Sequence, residues 1–164
     1  MTSWDDKLEG DMKRLHTVRL SLIGPMLVVA LVSCERPETQ PRQEEAVAAR
    51  WYSDQQVEQG QLVFLTHCSS CHGELAQGLA DDWKAKLPDG SFPPPPLNGS
   101  AHAWHHPLPV LVGVINEGGE ALGGKMPGFQ SILTEQEKLA VIAFFQNYWI
   151  DEIYTNWVKM GGSN

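Results

Sequence analysis

The apolar and polar positions of this chain recur with a helical period in three separate stretches. The first follows Ser53, which suits a helix N-cap, and steps of three and four residues put one set of side chains on a single face: Val57, Gly60, Phe64 and Cys68. A glycine on that face lowers helix propensity by about 1 kcal/mol, which makes sense where another helix crosses closely. We therefore predict a first helix that packs at short range against a second.

A short helix is predicted after a long segment without periodicity. Residues 73–107 are rich in proline and glycine and are longer than a loop without a function usually is in a compact domain. Residues 109–117 then begin with a proline, which suits a first helical turn, and place Leu111 and Ile115 on one face before Gly118 ends the helix. The long loop is therefore expected to cover something other than another helix.

The last predicted helix begins at a clear N-terminal signal. Thr134 and Glu137 have the spacing of a capping box, and an apolar stripe follows that consists of Leu139, Ile142, Phe145, Trp149 and Ile153. The tail after Trp149 is expected to fold back, with Tyr154 and Trp157 as apolar contacts. Because no stretch alternates convincingly with the period of a strand, the predicted fold class is all-α.

The start of the chain has the pattern of an export signal. Basic residues after Met12 precede an apolar run of about 14 residues, which is shorter than the roughly 20 residues needed to span a bilayer. The run ends at Cys34 in Leu-Val-Ser-Cys, which resembles a bacterial lipoprotein box; an uncleaved anchor or a soluble export signal is the alternative. We predict a signal peptide over residues 1–33, with the true start at Met1 or Met12, and lipidation of Cys34.

The rest of the chain divides into a linker and a domain. Residues 34–50 combine many charges with prolines and almost no large apolar residue, so they are predicted to be a flexible tether for a domain over residues 51–164. A lipid anchor would hold that domain at the periplasmic face of a bacterial membrane, inner or outer. The formal net charge of −8 argues against nucleic acid as a partner.

Residues 68–72, Cys-Ser-Ser-Cys-His, carry the candidate chemistry. A tetrahedral zinc site needs four ligands, and only the histidines of residues 102–106 could complete one; a redox dithiol of the thioredoxin kind needs a βαβ context. C-x-x-C-H is the attachment pattern of c-type haem, in which Cys68 and Cys71 form thioethers and His72 binds the iron. We therefore predict one covalently bound haem c.

The second axial ligand of such an iron is predicted to be Met126. It lies in Gly-Gly-Lys-Met-Pro, a loop between two helices, whereas a methionine that only fills a core normally lies on a helix face. The remaining candidates are Met160, His102, His105 and His106. With both axial positions filled, no substrate is expected to bind at the iron.

Taken in order, these motifs resemble those of the bacterial monohaem class I c-type cytochromes. The motifs are Gly-x₃-Phe-x₃-Cys-x₂-Cys-His-Gly at residues 60–73, Pro-Pro-Leu at 95–97 and Lys-Met-Pro-Gly-Phe at 125–129. The resemblance implies that the N- and C-terminal helices cross, with Gly60 and Phe64 meeting one or more of Phe144, Phe145 and Trp149. It also implies a hydrogen bond from Nδ1 of His72 to a carbonyl at Pro95 or Pro96.

Two segments depart from the smallest members of that family. Residues 81–96 enlarge the loop that would cover the haem, and residues 101–108 are rich in His and Trp. Trp104 and the nearby histidines are expected either to hydrogen-bond a haem propionate or simply to pack the long loop.

The expected function is that of a one-electron carrier with a His/Met-ligated haem, which exchanges electrons with redox partner proteins at the membrane and has no enzymatic activity of its own. It could also be the electron-accepting subunit of an oxidoreductase. The alternative from another class is a haem-based sensor or peroxidase-like enzyme with a labile Met126. The sequence does not identify the donor, the acceptor or the oligomeric state.

Overall fold

Five α-helices follow one another through residues 47–164, the part of the chain that the computed structural model describes. They are α1 (Asp54–His67), α2 (Ser69–His72), α3 (Leu108–Glu117), α4 (Glu135–Gln146) and α5 (Asp151–Lys159), with 3-10 turns at Ala103–His105 and Glu120–Leu122. No strand occurs in this range, which confirms the all-α class. The predicted signal peptide, Cys34 and the tether as far as residue 46 lie outside the described residues. None of the helices within 47–164 is long and apolar enough to cross a bilayer.

The first helix begins and packs as its sequence predicts. Ser53 caps α1, because its hydroxyl accepts a hydrogen bond from the Gln56 amide at 3.3 Å while the Gln56 side chain accepts one from the Ser53 amide at 3.0 Å. Gly60 and Phe64 are the buried residues of α1. This capping box uses glutamine rather than glutamate, and it fixes the start of the helix that carries the crossing face.

The helices α1 and α4 cross so closely that no side chain fits between their backbones at the crossing point. A Cβ atom built at Gly60 would lie 1.9 Å from the backbone carbonyl oxygen of Ala140, so the backbones are in direct contact there. Phe64 packs beside this point against Phe144, with ring centroids 5.0 Å apart. The implied crossing is confirmed, and Phe144 is the aromatic residue that Gly60 and Phe64 meet.

The third helix is also where the sequence predicts it. α3 begins one residue before Pro109 and ends at Gly118, and its buried residues are Leu111 and Ile115. Proline close to the start and glycine at the end are the usual asymmetry of helix termini.

The last apolar stripe was predicted as one helix, and this is wrong. The Thr134–Glu137 capping box is present, but α4 ends at Gln146, the chain turns over residues 147–150, and Ile153 lies on the separate helix α5. The turn lets α5 return and bury Tyr154 and Trp157 completely, and each such side chain stabilises the fold by roughly 1.5–3 kcal/mol. The folded-back tail is thus confirmed as a helix.

Polar contacts attach α5 to segments far away in the chain. The Trp157 indole donates to the carbonyl of His106 at 2.8 Å, and the Leu108 amide donates to the carbonyl of Gly162 at 2.7 Å. On the other side, the Trp51 amide donates to the Tyr154 hydroxyl at 2.9 Å. α5 therefore links the segment before α1 to the loop before α3.

Replacing Gly60 by alanine tests the close crossing. We expect Gly60→Ala to lower the free energy of unfolding by about 1–3 kcal/mol, because the new methyl group forces the two backbones apart. The matched control is Gly113→Ala in α3, where a Cβ meets nothing within 4 Å and helix propensity alone predicts a gain of roughly 0.5–1 kcal/mol. Urea unfolding of both variants measures the two effects. A change of the same sign in both would contradict the backbone contact.

Candidate functional site

A single helical turn holds the two cysteines and the histidine of the motif. The Cys68 amide donates to the carbonyl of Phe64 at 2.8 Å, so Cys68 closes α1 and at once opens α2. The amides of Cys71 and His72 then both donate to the carbonyl of Cys68, at 3.1 and 2.9 Å. Both cysteines are free thiols, Cys68 half-buried and Cys71 exposed. The turn therefore carries two thiols that form no disulfide, next to one imidazole.

The environment of Cys68 favours the neutral thiol. Burial, with a smaller contribution from the neighbouring Cys71, raises the pKa of Cys68 to about 11. Redox-active and metal-bound cysteines are instead found where positive charge lowers the pKa. Among residues 47–164, no group of three or more His, Cys, Asp or Glu side chains could hold a metal ion. The zinc and dithiol interpretations of the motif gain no support from these residues.

His72 is buried, and its ring has one nitrogen engaged. Nδ1 lies 2.9 Å from the carbonyl oxygen of Pro95, and since a carbonyl only accepts, Nδ1 carries the proton and donates. Burial lowers the pKa of His72, while the hydrogen bond to Pro95 works in the opposite direction. The side chain is thus held as a neutral imidazole with the Nε2 lone pair available, which is the form that binds a metal. Of the two prolines that the resemblance left open, the structure selects Pro95.

The loop that carries Pro95 is fixed to two other parts of the chain. The amides of Leu97 and Asn98 both donate to the carbonyl of Ala76, at 2.7 and 3.1 Å. The Trp149 indole donates to the carbonyl of Leu97 at 2.8 Å. Sequence reasoning placed Trp149 in an apolar stripe and gave no sign that its Nε1–H would position this loop.

Met126 lies half-buried in the loop after α3 and packs against the same core cluster as Cys68. The loop contacts the C-terminal end of α3 directly, because the Gly119 amide donates to the carbonyl of Met126 at 3.0 Å. Gly118 has a φ of +87°, and a Cβ there would lie 2.4 Å from the Met126 carbonyl oxygen. A Cβ at Gly128 would lie 2.5 Å from the carbonyl oxygen of Asn116. Both segments of this contact therefore have a glycine where the two backbones meet, and this lets the loop pack directly against the C-terminal end of α3.

The other candidate ligands have different surroundings. Met160 follows α5 and is 57% exposed. His102 stacks on Trp83 at 4.9 Å between ring centroids, His106 lies 5.5 Å from His102, and His105 stacks on Trp104 at 3.7 Å. Trp104 also packs against the core cluster. These contacts account for the His- and Trp-rich segment as loop packing, and its hydrogen bond to a propionate stays a prediction.

The residues of this turn fit a covalently held haem. Two thiols three positions apart and an imidazole with one nitrogen fixed and the other free are the groups that haem attachment and proximal ligation require. The side chains that would hold the haem are those of Cys68, Cys71 and His72 in this turn, with Met126 as the candidate from the loop after α3.

Comparison with known proteins gives one match. A family model described as "Cytochrome C oxidase, cbb3-type, subunit III" matches residues 55–145, which is more than half of the 164 residues. The match includes the Cys68–His72 turn, α3, the Met126 loop and all but one residue of each of α1 and α4. No curated protein and no solved structure matches the chain significantly.

Two tryptophan substitutions test whether Trp149 positions the Pro95 loop. Trp149→Phe and Trp157→Phe each remove one indole donor, to Leu97 and His106 respectively, from a side chain that is 1% exposed. Each should lower the free energy of unfolding by roughly 2–4 kcal/mol through an unpaired carbonyl and a small cavity.

Only Trp149→Phe should also change the haem potential. When the Pro95 carbonyl is held less firmly, its hydrogen bond weakens and the His72 imidazole becomes less basic. If this reduces the stabilisation of the oxidised haem by roughly 0.5 kcal/mol, the reduction potential rises by about 20 mV. Voltammetry of both haem-loaded variants measures this shift. Equal potentials in the two variants would show that Trp149 has only a packing role.

Proposed function

The chain belongs to the class I c-type cytochromes, in the family of cbb3-type cytochrome c oxidase subunit III, and from this membership we propose that it carries single electrons on one haem c. A cytochrome c domain implies covalently bound haem c, haem-based electron transfer and redox partners in general. The family's description names an oxidase subunit, and the same role fits a free carrier or a subunit of a complex.

The hydrogen bond from Nδ1 of His72 to Pro95 is the observation that carries the proposal. It would hold the proton on Nδ1, orient the ring and leave Nε2 for the iron, so the protein itself would orient the proximal ligand. Cys68 and Cys71 would supply the two thioether sulfurs from the same turn. When bound, the haem supplies a one-electron couple between ferric and ferrous iron.

The chain's own groups would tune that couple and protect it. A thioether from Met126 favours ferrous iron and raises the reduction potential relative to two nitrogen ligands. Met126 and Cys68 both pack against the buried core cluster, and an apolar surrounding disfavours the extra positive charge of the oxidised state. With His72 and Met126 on the two axial positions, no substrate binds at the iron, and the proposed reaction is electron transfer alone.

We propose further that Cys34 is lipidated and holds the domain at the periplasmic face of a bacterial membrane. The described chain starts 13 residues after Cys34, a length that reaches at most about 45 Å when extended. Arg50 pairs with Asp151 at 3.0 Å and the Ala48 amide donates to Thr155 Oγ1 at 3.3 Å, so the tether would leave the domain beside α5. Tethering raises the effective concentration of the carrier near redox partners in the membrane.

Replacing Met126 tests the proposed ligation. The parent protein should keep its Soret absorbance after denaturation and solvent extraction, with one haem per chain, and should show a sulfur-to-iron charge-transfer band when oxidised. Met126→Ala should lose that band, bind carbon monoxide when reduced, and have a potential lower by on the order of 0.1 V or more.

Met160→Ala is the matched control, since Met160 is exposed after α5. It should leave the band, the potential and the slow carbon monoxide binding as in the parent. A Met126→Ala protein with the parent's spectrum would exclude Met126 as the ligand. Carbon monoxide binding to the reduced parent as fast as to reduced Met126→Ala would favour the sensor or peroxidase-like alternative.

Lipidation is tested on the mature N-terminus. Mass spectrometry should find an acylated Cys34 as the first residue, and Cys34→Ala should move the protein from the membrane fraction to the soluble one, because acyl chains supply most of the membrane affinity. An unmodified mature chain that begins before Cys34 would contradict the anchor and leave the electron-carrier proposal intact.

A further inference from the structure

A closed turn lies within the enlarged loop between α2 and α3. The Gly90 amide donates to the carbonyl of Leu87 at 2.8 Å, and the Leu87 amide donates to the carbonyl of Ser91 at 2.8 Å. Asp89 Oδ1 accepts from the Ser91 amide at 2.9 Å and from its hydroxyl at 2.6 Å. Residues 87–92 thus form a turn with its own hydrogen bonds, and we call it the 87–92 turn.

This turn makes three contacts with the loop that carries Met126. The Phe92 amide donates to the carbonyl of Gly123 at 2.8 Å. The Phe92 ring covers Gly123, where a Cβ would lie 3.3 Å from the ring. The Lys125 ammonium, one residue before Met126, donates to Asp89 Oδ2, and this contact together with Ser91 holds the pKa of the Asp89 carboxyl well below its ordinary value.

The Met126 loop is therefore held from two sides by contacts of different kinds. On the α3 side it is fixed by the Gly119 amide and by backbone approaches that only glycine permits. On the outer side it is fixed by the 87–92 turn, where Phe92 is 39% exposed and the side chains of Asp89 and Lys125 are 45% and 68% exposed. Exposed contacts of this kind open more readily than buried ones. The contacts with the 87–92 turn therefore determine how often the Met126 loop opens.

We propose that the 87–92 turn is a latch that keeps the Met126 loop closed over the haem and so prevents small ligands from displacing the thioether. Phe92 and Asp89 are then positioning residues for Met126. The enlarged loop would then do more than cover the haem. It would prevent small ligands from reaching the iron, and this favours electron transfer. The latch rests on the proposed function in one respect, the ligation by Met126.

The first test removes the Phe92 ring from the loaded protein. Carbon monoxide binds to a reduced His/Met haem only while the loop is open, so its apparent rate scales with the open fraction. Phe92→Ala should bind it about five- to tenfold faster than the parent, the change that a loss of roughly 1–1.4 kcal/mol of closing free energy produces. Hydrogen exchange of the Gly119 and Gly124 amides, which are bonded within the loop, should accelerate by a similar factor.

The matched control for this variant is Leu79→Ala. Leu79 is an apolar side chain, 63% exposed, that lies before the 87–92 turn. It should stay within about twofold of the parent in both measurements.

The second test removes the charge contact without disturbing the turn. Asp89→Asn keeps an oxygen that can accept from Ser91 and loses only the ion pair, and Lys125→Gln removes its partner. Each single variant should bind carbon monoxide a few fold faster than the parent, and the double variant no faster than either single one, because the pair acts as a unit. Lys84→Gln removes a lysine that stacks on Trp83 and should have no effect.

The outcomes separate the latch from the proposed function. A parent protein without the sulfur-to-iron band would overturn Met126 ligation, and hydrogen exchange in the Met126 loop would then decide the latch by itself. A parent with the band, whose Phe92→Ala and Asp89→Asn variants keep parental ligand binding and parental exchange, would show that the latch is wrong. If Phe92→Ala fails to fold, the exposed Asp89 and Lys125 variants decide the question.

Discussion

The close crossing of α1 and α4 at Gly60 is the constraint on which the proposed site depends. Cys68 ends α1 and begins α2, so the direction of α1 also fixes the turn that carries Cys71 and His72. A few residues beyond the other end of the crossing, Trp149 binds the loop whose Pro95 carbonyl meets the same imidazole. The His72 turn and the loop that orients it are thus attached to two helices whose separation is set by a backbone contact. A side chain at position 60 would move both.

The two proposed axial ligands are held in different ways, and this difference suits their roles. His72 is buried and lies on a helix. A hydrogen bond to the Pro95 loop fixes the orientation of its ring, and that loop is itself held at several points. Met126 is half-buried in a loop that depends on glycine contacts with α3 and on the exposed side chains of the 87–92 turn. If both side chains bind the iron, the hydrogen-bonded imidazole would need little reorganisation when the iron changes charge, whereas the thioether would rely on the contacts of its loop to stay bound.

Much of the fold could be predicted because its signals are local. The signals are the N-cap at Ser53, the Thr134–Glu137 capping box, the Cys-x-x-Cys-His turn, and the proline and glycine at the ends of α3. Each depends on residues only a few positions apart. What failed or stayed open depends on distant contacts. The stripe that ends at Ile153 has a continuous period, but the turn at residues 147–150 is stabilised by burial of Tyr154 and Trp157, which no local pattern contains. Lys138 is buried in α4 with its ammonium on Glu135, a position that the apolar pattern did not mark. Four adjacent prolines cannot reveal which carbonyl faces a histidine 23 residues away.

The segments on either side of the family match pack against each other, which bears on how a tether could act on the domain. Arg50 lies over the Tyr154 ring, with its guanidinium carbon 3.9 Å from the ring centroid, and the Trp51 indole donates to Gln146 at 2.7 Å. These contacts precede Ser53, where α1 begins. A force applied through the proposed lipid tether would therefore act on α5 and the end of α4 before it acted on α1 and the Cys68–His72 turn. Because α5 in turn binds the His106 carbonyl, part of the displacement would pass to the long loop before α3.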